Sequence, residues 1–203
     1  MSFSLFNKKS RVQKFWDWFS KHEKHFYQDL EDLQKREYLF HQLSVNLKKV
    51  QAELVFEFSP IHDDGRREFT ISADGIKSVF PKVIELVEQA PDLENWQINA
   101  FRQPVPGDEG ALNFGDLSLT YQDIFFRYQD GVYGKLGIEL HIRNYDGSAQ
   151  FQHAVYLLLD ALLGEYDVTM GIDWIEWQRL ADGDQTELQP LTKLRDLINQ
   201  KKN

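Results

Sequence analysis

Past residue 50 the apolar residues of this chain change their spacing from three or four to two, and the string of elements that follows is then spelled out again. Leu54, Phe56 and Phe58 alternate with Val55 and Glu57; after turn residues at 59–65, Phe69 and Ile71 alternate with Glu68, Thr70 and Ser72. That alternation predicts a β-hairpin. Asp74-Gly75 ends the strand, Val79, Phe80, Val83, Ile84, Leu86, Val87 and Ala90 form a helical stripe closed by Pro91, and Trp96, Ile98 and Ala100 resume the strand period. The second round runs Ile124, Phe126, Tyr128, a turn at Gln129-Asp130-Gly131, then Ile138, Leu140, Ile142 and Asp146-Gly147. Its helix carries Phe151, Ala154, Val155, Leu157, Leu158 and Ala161, with Gly164 past the end, and Val168, Met170 and Ile172 read as strand again. An offset of 71 lays Phe80, Val83, Ile84, Leu86, Val87 and Ala90 onto those six helix positions in order. The pattern reads as a duplicated β-β-α-β unit, although two ordinary amphipathic units also look broadly alike.

Ahead of the repeat, residues 11–50 read as helix. Phe15, Trp18, Phe19, His22, Phe26, Leu30, Leu33, Phe40, Leu43, Leu47 and Val50 fall mostly three or four apart, with no Gly or Pro among them. Register slips between Leu33 and Phe40, so the spacing admits one helix or two with a break near Gln34–Tyr38. Two β-β-α-β units most simply share one antiparallel-rich sheet with their helices on one face. The expected fold is therefore an α+β two-layer sandwich preceded by a helical segment. At 203 residues the chain fits a single domain over 1–203, divided into the helical segment 11–50, a first unit 51–102, a link 103–120, a second unit 121–180 and a C-terminal helix 188–200 with Pro190 in its first turn. Glu57, Glu68, Thr70, Arg127, Glu139, His141 and Arg143 should point to a polar far face.

Charge and composition exclude several classes. Residues 1–50 hold 10 Lys/Arg against 6 Asp/Glu, a balance of +4, whereas residues 51–203 hold 13 against 26, a balance of −13. An acidic body repels phosphate backbones, so nucleic acid is not the expected partner, and the same field steers a basic one. The chain has no cysteine, which excludes disulfides, thiolate metal sites and cysteine nucleophiles and suits a reducing cytoplasm. No apolar run is long enough for a membrane span. In Met1–Ser10 the basic pair follows the apolar residues, the reverse of a secretory signal.

Four stretches carry a family resemblance. Phe15–Phe26 (F-W-D-W-F-x-x-H-E-x-x-F), Ser72–Val83 (S-A-D-G-x-x-x-V-F-P-x-V), Ala90–Arg102 (A-P-x-L-x-x-W-x-I-x-A-F-R) and Gly164–Val168 (G-E-Y-D-V) together resemble an uncharacterised family of bacterial cytosolic proteins with no assigned activity. The resemblance implies a bacterial cytosolic domain and transfers no catalytic residue.

The candidate chemistry is sparse. His22-Glu23-Lys24-His25 has histidines three apart where the metalloprotease helix needs four, and no third ligand is evident; a packed histidine on the apolar stripe is the commoner outcome, so no metal and no cofactor are expected. Asp182-Gly183-Asp184 with Glu187 echoes a calcium loop but lacks its oxygen spacing and reads as a turn. Glu139 and His141 lie two apart on one strand beside Arg143 and Arg127, a set that could do acid–base work on the polar face, though any half-exposed sheet shows alternating charges. No serine-hydrolase elbow, phosphate loop or dinucleotide loop is present.

The leading expectation is a non-catalytic protein-binding module that meets a basic protein, as toxin-immunity proteins do. Asp108, Glu109 and Asp116 of the Gly- and Pro-rich link are its candidate contacts. The alternative is a small-molecule enzyme or binding protein that uses Arg127, Glu139, His141 and Arg143.

Overall fold

The computed structural model describes residues 8–181 and 187–202. Its α+β class and N-terminal helical segment are those expected, but the strands do not join one sheet, and the chain divides into two compact units, Met1–Phe101 and Arg102–Asn203, where the sequence suggested one domain.

The first unit opens with α1 (Arg11–Gln28) and α2 (Leu33–Val50). The break falls at residues 29–32, earlier than the spacing suggested, because Asp32 caps α2 by accepting from the backbone N–H of Gln34 and Lys35. Leu33 is therefore an exposed first-turn residue rather than part of the stripe, and Leu39 is buried. A capping box between Ser10 and Gln13 starts α1. β1 (Val55–Ile61) and β2 (Arg67–Ser72) form the antiparallel hairpin, with Phe58 opposite Phe69 and Phe56 opposite Ile71. The chain then crosses through α3 (Phe80–Glu88) to β3 (Trp96–Ala100), which lies parallel to β2. Rings from helices and sheet mesh in one cluster: Phe19 stacks on Phe26 and Phe69 and meets Trp96 edge-on, and Phe58 stacks on Phe26 and Phe69. Trp16 donates its indole N–H to the Leu86 carbonyl of α3 at 2.8 Å, which satisfies the polar tip of a buried ring.

Arg67 is an inward-facing charge in the same core, 1% exposed. It donates to the Phe26 carbonyl in the last turn of α1 and to Glu31, both at 2.9 Å. A cation at a helix C-terminus offsets the partial negative charge of the unpaired carbonyls.

The second unit begins with a segment read from sequence as link. Residues 103–110 are irregular, but β4 (Ala111–Phe114) and β5 (Leu117–Thr120) form a hairpin that packs on α4, with Leu119 buried in the core. β6 (Ile124–Asp130) and β7 (Leu136–Ile142) pair antiparallel, and α4 (Ala149–Leu163) follows. A short helix, α5 (Glu165–Gly171), takes in Val168 and Met170, which their alternation with Ile172 suggested as strand. β8 (Ile172–Arg179) then runs parallel to β7. Gly164 separates α4 from α5 at φ 86°, a positive φ that favours glycine, with Pro104 Cδ 3.1 Å from where a Cβ would sit.

Pro190 does not start the last helix. With Gln189 it makes β9 (Gln189–Pro190), an edge strand beside β6, where a missing N–H costs no ladder bond. The helix itself is α6 (Lys193–Lys201), which buries Leu194 and Ile198. The sheet order is β8-β7-β6-β9, and its core face carries Ile124, Phe126, Ile138, Leu140 and Ile142 under α4.

Element order and strand directions are the same in the two units: a hairpin, a helical crossover and a parallel third strand. Phe80 and Phe151, the matched helix positions, are both buried.

Candidate functional site

Cross-strand register on the second unit's sheet sets Arg127 of β6 directly opposite Glu139 of β7. Period-two alternation sends both side chains to the face away from α4. The guanidinium grips the carboxylate with two bonds, Nε to Oε2 at 2.9 Å and Nη2 to Oε1 at 2.8 Å. His141, two residues on, is buried, and its Nε2 lies 2.8 Å from Oε1 of Glu139 but outside hydrogen-bond geometry. Arg143 turns away and donates to Asp123 at 3.1 Å. Three of the four candidate residues thus come together and the fourth does not.

The chemistry of the trio follows from that grip. Hydrogen bonding to Arg127 holds the Glu139 carboxyl below its usual range, against a smaller opposing contribution from burial, and His141 adds to the lowering. A carboxylate held ionised by a bidentate guanidinium makes a weak base. A depressed folded-state pKa means that the stabilisation is complete above the ordinary value of 4.5 and is lost as pH falls through the lower folded value. Thermal denaturation stepped from pH 6 to pH 3 should show the wild type losing stability more steeply at the acid end than Glu139→Gln; identical pH profiles would rule out this role for Glu139.

The link residues proposed as partner contacts are in part already engaged within the chain. Asp108 accepts from Arg195 Nη1 at 2.8 Å. The same guanidinium donates to the Leu162 carbonyl at 3.1 Å and the Gly107 carbonyl at 2.8 Å, so one arginine of α6 ties the link to the end of α4. Glu109 is exposed, and Asp116 sits in the tight turn between β4 and β5. The three acids share a stretch of chain, but Asp108 already has a partner 87 residues downstream.

His22 donates from Nδ1 to the Trp18 carbonyl at 2.7 Å and stacks on the Trp18 ring, while His25 pairs with Asp29 at 3.0 Å. The two histidines thus have separate partners. Among the described residues, no group of three or more His, Asp or Glu side chains is placed to hold a metal ion, and no helix is long and apolar enough to cross a membrane. Asp182-Gly183-Asp184 lies outside the described residues.

Two features went unread in the sequence. One is a buried ionic cluster: Arg102 Nη1 bonds Asp160 Oδ2 at 3.2 Å, and Glu165, fully buried at the start of α5, accepts from the Arg102 backbone N–H at 3.2 Å. The other is the turn end of the four-stranded sheet. Tyr133, in the β6–β7 turn, is 98% exposed and holds φ 56°, ψ 36°. Val132 beside it is 63% exposed, Tyr128 and Trp174 are each more than a third exposed, and the Trp174 indole lies against Gly137, where any Cβ would collide with it. The signal was Val132-Tyr133 itself, two large apolar residues in a turn where polar ones are the rule.

No protein-family model matches this chain, and no curated protein matches it.

Proposed function

We propose that this chain is a non-catalytic protein-binding module for a basic partner, in the manner of an immunity protein, and that the partner meets the turn end of the sheet of the second unit. The observation that carries this reading is Tyr133. A non-glycine residue in the left-handed region costs about 1–3 kcal/mol, and a bulky exposed ring returns none of it within the chain. Strain at an exposed aromatic suits a binding surface, where Tyr and Trp are the usual anchors. Val132 stands beside Tyr133, and near the same end of the sheet Tyr128, on the face toward α4, and Trp174, on the other face, are each partly exposed. Glu176 supplies acid beside that end, with Asp130 and Asp173, which face Lys201 and Lys135 within the chain, in a unit that holds 9 Lys/Arg against 16 Asp/Glu, a balance of −7. The resemblance to bacterial cytosolic proteins fits such a role. A small-molecule reaction on the polar face has less support, because Glu139 is committed to Arg127.

The test pairs the wild-type chain with a Tyr133→Ser, Trp174→Ser double variant as bait in host extract, with mass spectrometry of what is retained. A stoichiometric partner with pI above about 9 should be held by the wild type and lost by the variant, as truncation of anchors worth about 2 kcal/mol each predicts. With that partner purified, stopped-flow association should slow as salt rises. A partner held equally by both baits, or an on-rate indifferent to salt, overturns the reading.

A further inference from the structure

At the opposite end of the chain's charge balance, the first unit has a groove of about 620 Å³ where the start of α1 meets the end of α2, lined by Arg11, Lys14, Phe15, Asn46, Lys48 and Lys49. Four of the six lining residues are cations and none is an acid. Lys49 donates to Asn46 at 3.0 Å; Arg11, Lys14 and Lys48 have no acidic partner among the described residues. Their positions matter as much as their number. Lys48 and Lys49 in the last turn of α2 offset the negative end of that helix, which is an ordinary structural use. Arg11 and Lys14 have no such use. They occupy the first turn or so of α1, an 18-residue helix with no acid in its first turn, so they sit at the positive end of its dipole and oppose it. Local electrostatics therefore disfavours the two cations that complete the groove.

We infer that this groove binds a small, multiply phosphorylated anion. Like charges held together in a concave site against local preference are relieved by a polyanion. The arginine fork and the lysine ammoniums suit phosphate oxygens as bidentate and point-charge donors respectively. The groove's volume is in the range of small-molecule sites, roughly 300–1,000 Å³, rather than a long track. A chain of net charge −9 also disfavours an extended nucleic acid, whose phosphates would continue past the groove. This site is separate in sequence and chemistry from the aromatic surface assigned to a basic protein, so either can fail without the other.

Isothermal titration calorimetry of the full chain with sodium tripolyphosphate at fixed ionic strength tests it. Saturable binding at one site is expected. The Arg11→Ala, Lys14→Ala double variant should lose at least tenfold in affinity and melt no lower than the parent, since it removes cations from the wrong end of a helix. A Lys24→Ala, Lys77→Ala control, which removes the same charge from exposed positions elsewhere in the unit, should stay within about twofold, as surface charges away from the site contribute little. No saturable heat, equal loss in both double variants, or tighter binding of a single-stranded oligonucleotide than of tripolyphosphate each overturns the inference.

Discussion

Phe19→Ala should destabilise the first unit by about 3–5 kcal/mol, the range for deleting a buried phenyl ring. Phe19 is fully buried, and its ring touches those of Phe15, Trp16, Phe26, Phe69 and Trp96, so it joins α1 to both β2 and β3. Removing it opens a void lined by aromatics that are themselves locked by neighbours; the Trp16 indole is fixed to Leu86 O and the Trp96 indole to Glu23 at 3.0 Å. Rings held in that way cannot slide in to fill the space, which keeps the cavity contribution large. Phe40, packed edge-on against Phe56 at the half-buried margin of the cluster, is the internal comparison and should cost less than half as much. Urea denaturation followed by far-UV circular dichroism measures both. Because the chain has two compact units, a second transition is to be fitted if one is seen. A loss below 1 kcal/mol for Phe19→Ala would mean that the cluster is not the centre of the unit.

Arg102→Ala should produce a loss of similar size, about 3–5 kcal/mol, by a different route. The Arg102–Asp160 pair is largely withdrawn from water on both sides, and Glu165 is fully buried against the same residue's backbone. Removing the guanidinium strands the Asp160 carboxylate in a site that hydrates it poorly, and that desolvation dominates over the lost contact. The diagnostic is coupling. Asp160→Ala alone should also destabilise, and the double variant should cost less than the two single losses combined, because the second change removes the charge that the first left unpaired. Strict additivity would show that Arg102 acts through packing alone.

The helices, strands and turns of this protein were legible because each rests on a short-range pattern. The alternation of Phe56, Phe58, Phe69 and Ile71 named the core face of the first sheet, and Asp74-Gly75 and Asp146-Gly147 named strand ends that the backbone confirms with positive φ at Asp74, Gly75 and Gly147. Where the pattern was misread, a capping or backbone interaction decided. Asp32 fixes the start of α2, and Pro190 finds an edge strand open to it beside β6. The polar-face site was half legible: period two put Arg127, Glu139 and His141 on one face, but Arg143 found Asp123 first.

Residue spacing over a few turns of backbone thus carries the class, the order of the principal helices and strands, and the core face of each hairpin, but not β4, β5, α5 or β9. Tertiary structure alone decided that the strands form separate sheets, that Arg67 is buried beneath the end of α1, that Arg195 holds Asp108, and that Tyr133 stands in strain with its ring in water. Three of these depend on which residues meet across tens of positions, and the strain at Tyr133 depends on how the hairpin closes around it. Spacing along the chain says which way a side chain points; only the closed chain says what it finds there.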